Sequence, residues 1–117
     1  MESTMNRDAL LEMHESLCKE AKQLMEIKNH DYSGGENREM PFLNFSRVES
    51  MGITTTEKGF LVRMTEKMSR LTTFSKEGDF KVSDETLKDT VLDLINYSVL
   101  LYSYVESKKQ HVPPLSR

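Results

Sequence analysis

Apolar residues recur at helical spacing in three long blocks, with polar residues gathered on the opposite side of each. The first block starts at Asn6, a residue type suited to an N-cap, and runs to about Asn29. Leu10, Leu11, His14, Leu17, Cys18, Ala21, Leu24, Met25 and Lys28 share one side of it; Glu12, Glu15, Lys19, Glu20, Gln23 and Glu26 share the other. The second block, about 56–76, follows the cap candidates Thr54, Thr55 and Thr56. Its stripe is Phe60, Leu61, Met64, Met68, Leu71 and Phe74. The third, capped by Ser83, runs to about Lys108.

Between the first two blocks Gly34, Gly35 and Pro41 interrupt any helix, and "FLNFSRVESMG" predicts a short helix ending at Gly52. Gly78 opens a connector to the third block, and Pro113 and Pro114 leave an irregular tail over about 109–117. No alternating strand pattern is present. The expected fold is all-α: one domain over 1–117, with three long helices and a short connecting helix.

The third block is the most apolar, yet its first half is acidic. At about 100° per residue, Glu85, Asp89, Asp93 and Asn96 share an arc of roughly 80°. The opposite face, with Leu87, Val91, Leu94, Ile95, Leu101, Tyr102 and Val105, is the expected core side. Past Asp93 the acid arc turns apolar at Val99 and Leu100, so both sides call for cover, most simply from a second copy of the chain. Asp84 and Glu85 suit the positive end of a helix dipole. Asp93 lies beyond the reach of that dipole and between two leucines, and so must be solvated, paired with a base, or bound to a metal. Carboxylates four residues apart could share a hard ion such as Mg²⁺, which takes oxygen ligands.

Composition narrows the setting. The chain has 117 residues, 37% of them hydrophobic and 30% charged, and a net charge of −3. That charge speaks against bulk electrostatic binding to a nucleic-acid polymer but leaves room for a small anion held by local bases. One cysteine, Cys18, excludes an internal disulfide and suits a reducing cytoplasm. There is no apolar run of leader length at the start and none long enough to span a membrane.

On the second helix Arg63, Lys67 and Arg70 form a cationic strip that could hold phosphate. Glu66 lies furthest from the apolar stripe. The bland reading of the same strip is a set of exposed i,i+4 pairs. His14 reads as a partnered core histidine, and the eight methionines as core filler. No glycine-rich phosphate-binding loop is present.

Four ordered pieces carry a family resemblance: K-x-x-D-Y from Lys28, P-F-x-N-F from Pro41, R-x-x-E-K-x-x-R-L from Arg63, and D-E-x-x-x-D-x-x-x-D-L-x-N-Y from Asp84. Together they resemble the nucleotide-modification-associated domain of phages and bacteria, a relative of the MazG-like all-α nucleoside triphosphate pyrophosphohydrolases. The resemblance spans about residues 27–104. It implies a helical bundle completed by oligomerisation, as a dimer or tetramer, and a nucleotide ligand in the cytoplasm, that of the host for a phage-encoded chain. Carried over by position, Glu85, Asp89 and Asp93 would bind Mg²⁺. Lys28, Asp31, Tyr32, Asn44 and Phe45 would close over the nucleotide, with Phe45 or Tyr32 stacking a base and Asn44 reading its edge. Arg63, Lys67 and Arg70 would neutralise phosphate, Asn96 would complete the nucleotide-binding set, and Glu66 would be the candidate general base.

The chain departs from the pyrophosphohydrolases in two places. Glu66 stands alone where they carry Glu-x-x-Glu, and Glu85-x-x-x-Asp89 replaces their Glu-x-x-Asp. Three readings follow. One is Mg²⁺-dependent hydrolysis of a nucleoside triphosphate to monophosphate and pyrophosphate. Another is non-catalytic sequestration of a modified or cyclic nucleotide signal of host defence. The third is a structural oligomer whose acids pair with the basic strip.

Overall fold

The computed structural model describes residues 4–32, 41–78 and 86–111, without the side chains of 30–32 and 110–111. Within them the chain forms four helices and no strand: α1 Arg7–Tyr32, α2 Leu43–Ser50, α3 Thr56–Glu77 and α4 Leu87–His111. The all-α expectation holds. Several boundaries have a local cause. Asn6 Oδ1 accepts the Ala9 amide at 2.9 Å, capping α1. Thr55 Oγ1 does the same for Lys58 at the start of α3, and Gly78, at φ +74°, ends that helix in the left-handed region. Three expected boundaries move. α1 continues through Asp31 and Tyr32, α4 continues through residues 109–111, and Ser83 lies outside the described residues.

The observed cap of α4 is Thr86. Its hydroxyl accepts the Asp89 amide at 3.1 Å, while Asp89 Oδ2 accepts the Thr86 amide at 3.0 Å. This reciprocal box satisfies two amides that the helix itself cannot.

α4 is the central element: it packs against α1 and α3, and α2 packs against the same two helices. α3 and α4 run antiparallel, tied at one end by Glu57 to Lys108 at 2.9 Å and near the middle by Lys67 to Asp93. The core is small and aromatic. Phe45 from α2 stacks on Phe60 of α3 at 4.3 Å, and Tyr97 of α4 meets Phe45 edge-on at 6.3 Å. Leu100 completes the buried cluster, with Met25, Phe42, Met64, Leu101 and Tyr104 packed around it.

The rotation of α4 corrects the sequence expectation. Thr90, Leu92, Asp93, Asn96, Tyr97 and Leu100 are its buried residues, so the Asp93 and Asn96 part of the acid arc faces inward while Asp89 stays exposed. The face expected to form the core is partly open: Leu87 and Tyr102 are exposed, and Val91, Leu94 and Ile95 half-buried. A helix wedged between two others must turn a wide arc inward, and here polar residues with partners occupy part of that arc. On α3 the inward line is Phe60, Met64, Lys67, Leu71 and Phe74, while Leu61 and Met68 are exposed.

Candidate functional site

Three elements converge on Asp93. Its inward position on α4 leaves the carboxylate 10% exposed. Lys67 of α3, 13% exposed, places its ammonium 2.9 Å from Oδ2, and Lys28 of α1, 38% exposed, lies 3.2 Å from Oδ1. Each carboxylate oxygen thus holds an ammonium group. Two lysines from different helices converge on one carboxylate of α4. The burial cost of such charges is bearable only because both oxygens are engaged.

Asp89, one turn earlier, is exposed. The Thr86 amide and hydroxyl hold its carboxyl below the ordinary value, and the charge of nearby Lys28 adds to this. Its carboxylate serves the cap, so its place at the start of α4 is explained by the helix end itself. No cluster of three or more acid, histidine or cysteine side chains suited to a metal occurs among the described residues. Glu85 and the side chains of Asp31 and Tyr32 lie outside those residues.

The other expected site residues are dispersed. Glu66 points to solvent, 66% exposed, and pairs with Arg70 at 3.2 Å, away from the inward line that carries Lys67. This removes it from the position of a base near Asp93. Phe45 is a core residue at 2% exposure, with Phe60 and the Arg63 guanidinium (4.8 Å from the ring centroid) against it, so no face remains to stack a base. Asn44, half-buried on α2, accepts from Arg47 at 3.2 Å. Asn96 is buried and donates to the Ala21 carbonyl at 2.9 Å, which makes it a clamp between α4 and α1. Of the cationic strip, Lys67 is turned inward, while Arg63 and Arg70 flank it one turn to either side. An open concavity of about 490 Å³ runs along the end of α1, and its walls include Met25 and Asn29, neighbours of Lys28.

Comparison with protein-family models, curated proteins and solved structures finds no match for this chain.

Two features were readable but unread in the sequence. Thr86-x-x-Asp89 has the spacing of a capping box. Positions 60, 64, 67, 71 and 74 step by four and three, which puts Lys67 on the apolar line instead of beside it. A lysine on such a line implies a buried acidic partner. Glu49 is a third unpredicted contributor: its carboxylate accepts the Thr56 amide at 2.9 Å and so links α2 to the start of α3. No spacing rule across the Gly52 turn foretells that bond.

Proposed function

We propose that the chain binds a small phosphorylated ligand of the nucleotide class, without needing a metal, through the ammonium groups of Lys28 and Lys67. The observation that carries this reading is the convergence of two ammonium groups, from α1 and α3, on the two oxygens of Asp93. A phosphate oxygen that reaches them meets two positive charges already held in place by one carboxylate. Arg63 and Arg70, one turn to either side of Lys67, add cationic charge around the entrance. The ligand class comes from the resemblance of the sequence to nucleotide-modification-associated domains. This is the sequestering alternative, and it takes the working form to be a homo-oligomer.

Mg²⁺-dependent hydrolysis is the second reading. What favours it is the i,i+4 placement of Asp89 and Asp93 about Lys28, an arrangement that lysine movement could open to an ion. Calorimetry with a panel of nucleoside mono-, di- and triphosphates and cyclic nucleotides, in Mg²⁺ and in chelator, separates the two. The proposal expects binding that survives the chelator, no pyrophosphate release, and an affinity reduced at least about tenfold by Lys28→Met, one lost phosphate contact. Lys28 is open enough for that variant to fold. Pyrophosphate release abolished by Asp89→Asn would instead establish the hydrolase, and absence of binding to every nucleotide would end both readings.

A further inference from the structure

Asp93 is an unusual residue to find at the meeting point of two phosphate-binding ammonium groups. It is an anion, it is buried, and each of its oxygens already holds a lysine. A carboxylate offers about four lone-pair positions and no donor of its own. Lys67 of α3 occupies one of these at Oδ2, and Lys28 of α1 occupies one at Oδ1. Among the described residues no other charged side chain pairs with it. Glu20 of α1 is bound to Lys88, Arg63 of α3 lies over the Phe45 ring, and Arg70 pairs with Glu66. Asp89, one turn earlier on α4, is exposed and engaged with Thr86.

The two lysine arms differ in freedom. Lys67 is nearly enclosed, whereas Lys28 is the more open of the two and has a flexible stem on which to turn outward. A phosphate that recruits Lys28 therefore draws it off Oδ1 and leaves a buried acceptor without its donor. Such an acceptor is costly unless the incoming group brings a hydrogen to it. A phosphate monoester loses its second proton only at about pH 6, so near neutrality it can hold one P–O–H group with little penalty. A phosphodiester, a cyclic phosphate or a sulfate ester carries no such hydrogen near neutrality. Its oxygens would face Oδ1 as acceptor against acceptor and anion against anion.

We infer that Asp93 is the specificity-determining residue of this site: it accepts the P–O–H of a singly esterified, terminal phosphate and so selects acyclic nucleotides over diesters, cyclic phosphates and sulfates. The inference rests on the phosphate-binding reading above and narrows its ligand class. Lys28 and Lys67 attract all of these anions alike, and Asp93 supplies the difference between them by opposing those that bring no hydrogen. The proton belongs to the ligand, and Asp93 stays an anion throughout.

Calorimetry on the wild-type chain tests this with matched probes in the presence of chelator. The probes are the common nucleoside 5′-monophosphates, each beside the 3′,5′-cyclic phosphate and the 5′-sulfate of the same nucleoside. Near pH 6 a monophosphate is expected to bind at least about tenfold tighter than its cyclic phosphate and its sulfate, the scale of one hydrogen bond to a charged group. Above about pH 6 its affinity should fall toward tenfold per pH unit, because the bound ligand regains the proton that the free one has lost, while the affinity of the sulfate stays level. Titration at about pH 7.5 in two buffers of unlike ionisation heat should count close to one proton taken up for each monophosphate bound. Asp93→Asn should erase both the preference and the proton uptake; should that variant fail to fold, the buffer pair on the wild-type chain decides alone. Equal affinity for monophosphate and sulfate, or monophosphate binding without proton uptake, overturns the inference and leaves the phosphate-binding proposal standing. So does a folded Asp93→Asn chain that keeps the preference. Binding of none of the probes ends both.

Discussion

Asp93→Asn isolates the charge at the centre of the molecule while keeping the shape of the side chain. The variant strips the anion from two lysines whose surroundings differ. Unit charges about 3 Å apart attract by roughly 5–6 kcal/mol at an effective dielectric of 20, before desolvation is subtracted. For Lys67, only 13% exposed, little water can replace the lost carboxylate. Removing one partner of such a buried pair costs about 3–5 kcal/mol. Lys28 is 38% exposed and can turn outward, so its arm follows the exposed-pair scale of about 0–1 kcal/mol. The expected loss is therefore about 3–4 kcal/mol, nearly all of it through Lys67. That is a large share of a stability of about 5–15 kcal/mol, and it lowers Tm by about 10–15 °C. Urea unfolding followed by helical circular dichroism, at one fixed protein concentration, measures it. The same assay should rank Lys67→Met well above Lys28→Met, and the double variant Lys67→Met with Asp93→Leu should regain most of the loss, because well-packed apolar replacements of buried pairs are often neutral. A loss below about 0.5 kcal/mol for Asp93→Asn would refute the reasoning, as would equal costs for the two lysine variants.

Two further outcomes follow from polar groups near helix starts. Thr56 is fully buried and its hydroxyl has no hydrogen-bond partner among the described residues, so Thr56→Val, which keeps the shape and the amide bond to Glu49, should stabilise by about 1 kcal/mol in the same urea assay; destabilisation would mean that the hydroxyl is satisfied. Asp89→Ala should cost about 1 kcal/mol by opening the capping box. The carboxyl of Asp89 is held below its ordinary 3.8 by Thr86, and that of Glu57 below 4.5 by Lys108. A depressed carboxyl contributes stability above its ordinary value, and that contribution is lost as pH falls through the lowered one. Acid titration of Tm should therefore decline more shallowly below about pH 4 in Asp89→Ala than in the wild type, and identical slopes would count against the cap.

The resemblance motifs read differently once packed. P-F-x-N-F looked like a nucleotide-closing loop, yet Phe42 and Phe45 insert from α2 into the aromatic core. The asparagine of D-L-x-N-Y, Asn96, binds the backbone of α1, and its tyrosine, Tyr97, packs on Phe45. Part of what makes these motifs specific is therefore the needs of the fold. Lys28, Lys67 and Asp93 are the members that they bring together as charge.

What the sequence determined by itself is the set of helices. The steps of three and four, Asn6 and Thr55 as caps, and Gly78 as a stop act within a few residues, so they are legible without knowing the fold. It also singled out Asp93, because a carboxylate between leucines needs a partner wherever the helix lies. The tertiary structure alone decided who that partner is, and which way α4 turns. A helix with two apolar arcs does not specify from its own pattern which arc faces its neighbours. That choice was made by contacts from distant parts of the chain: Ala21 to Asn96, Phe45 to Tyr97, and the two lysines to one carboxylate. Turning α4 so that those polar groups are satisfied places Ser98, Val99 and Tyr102 on the outside.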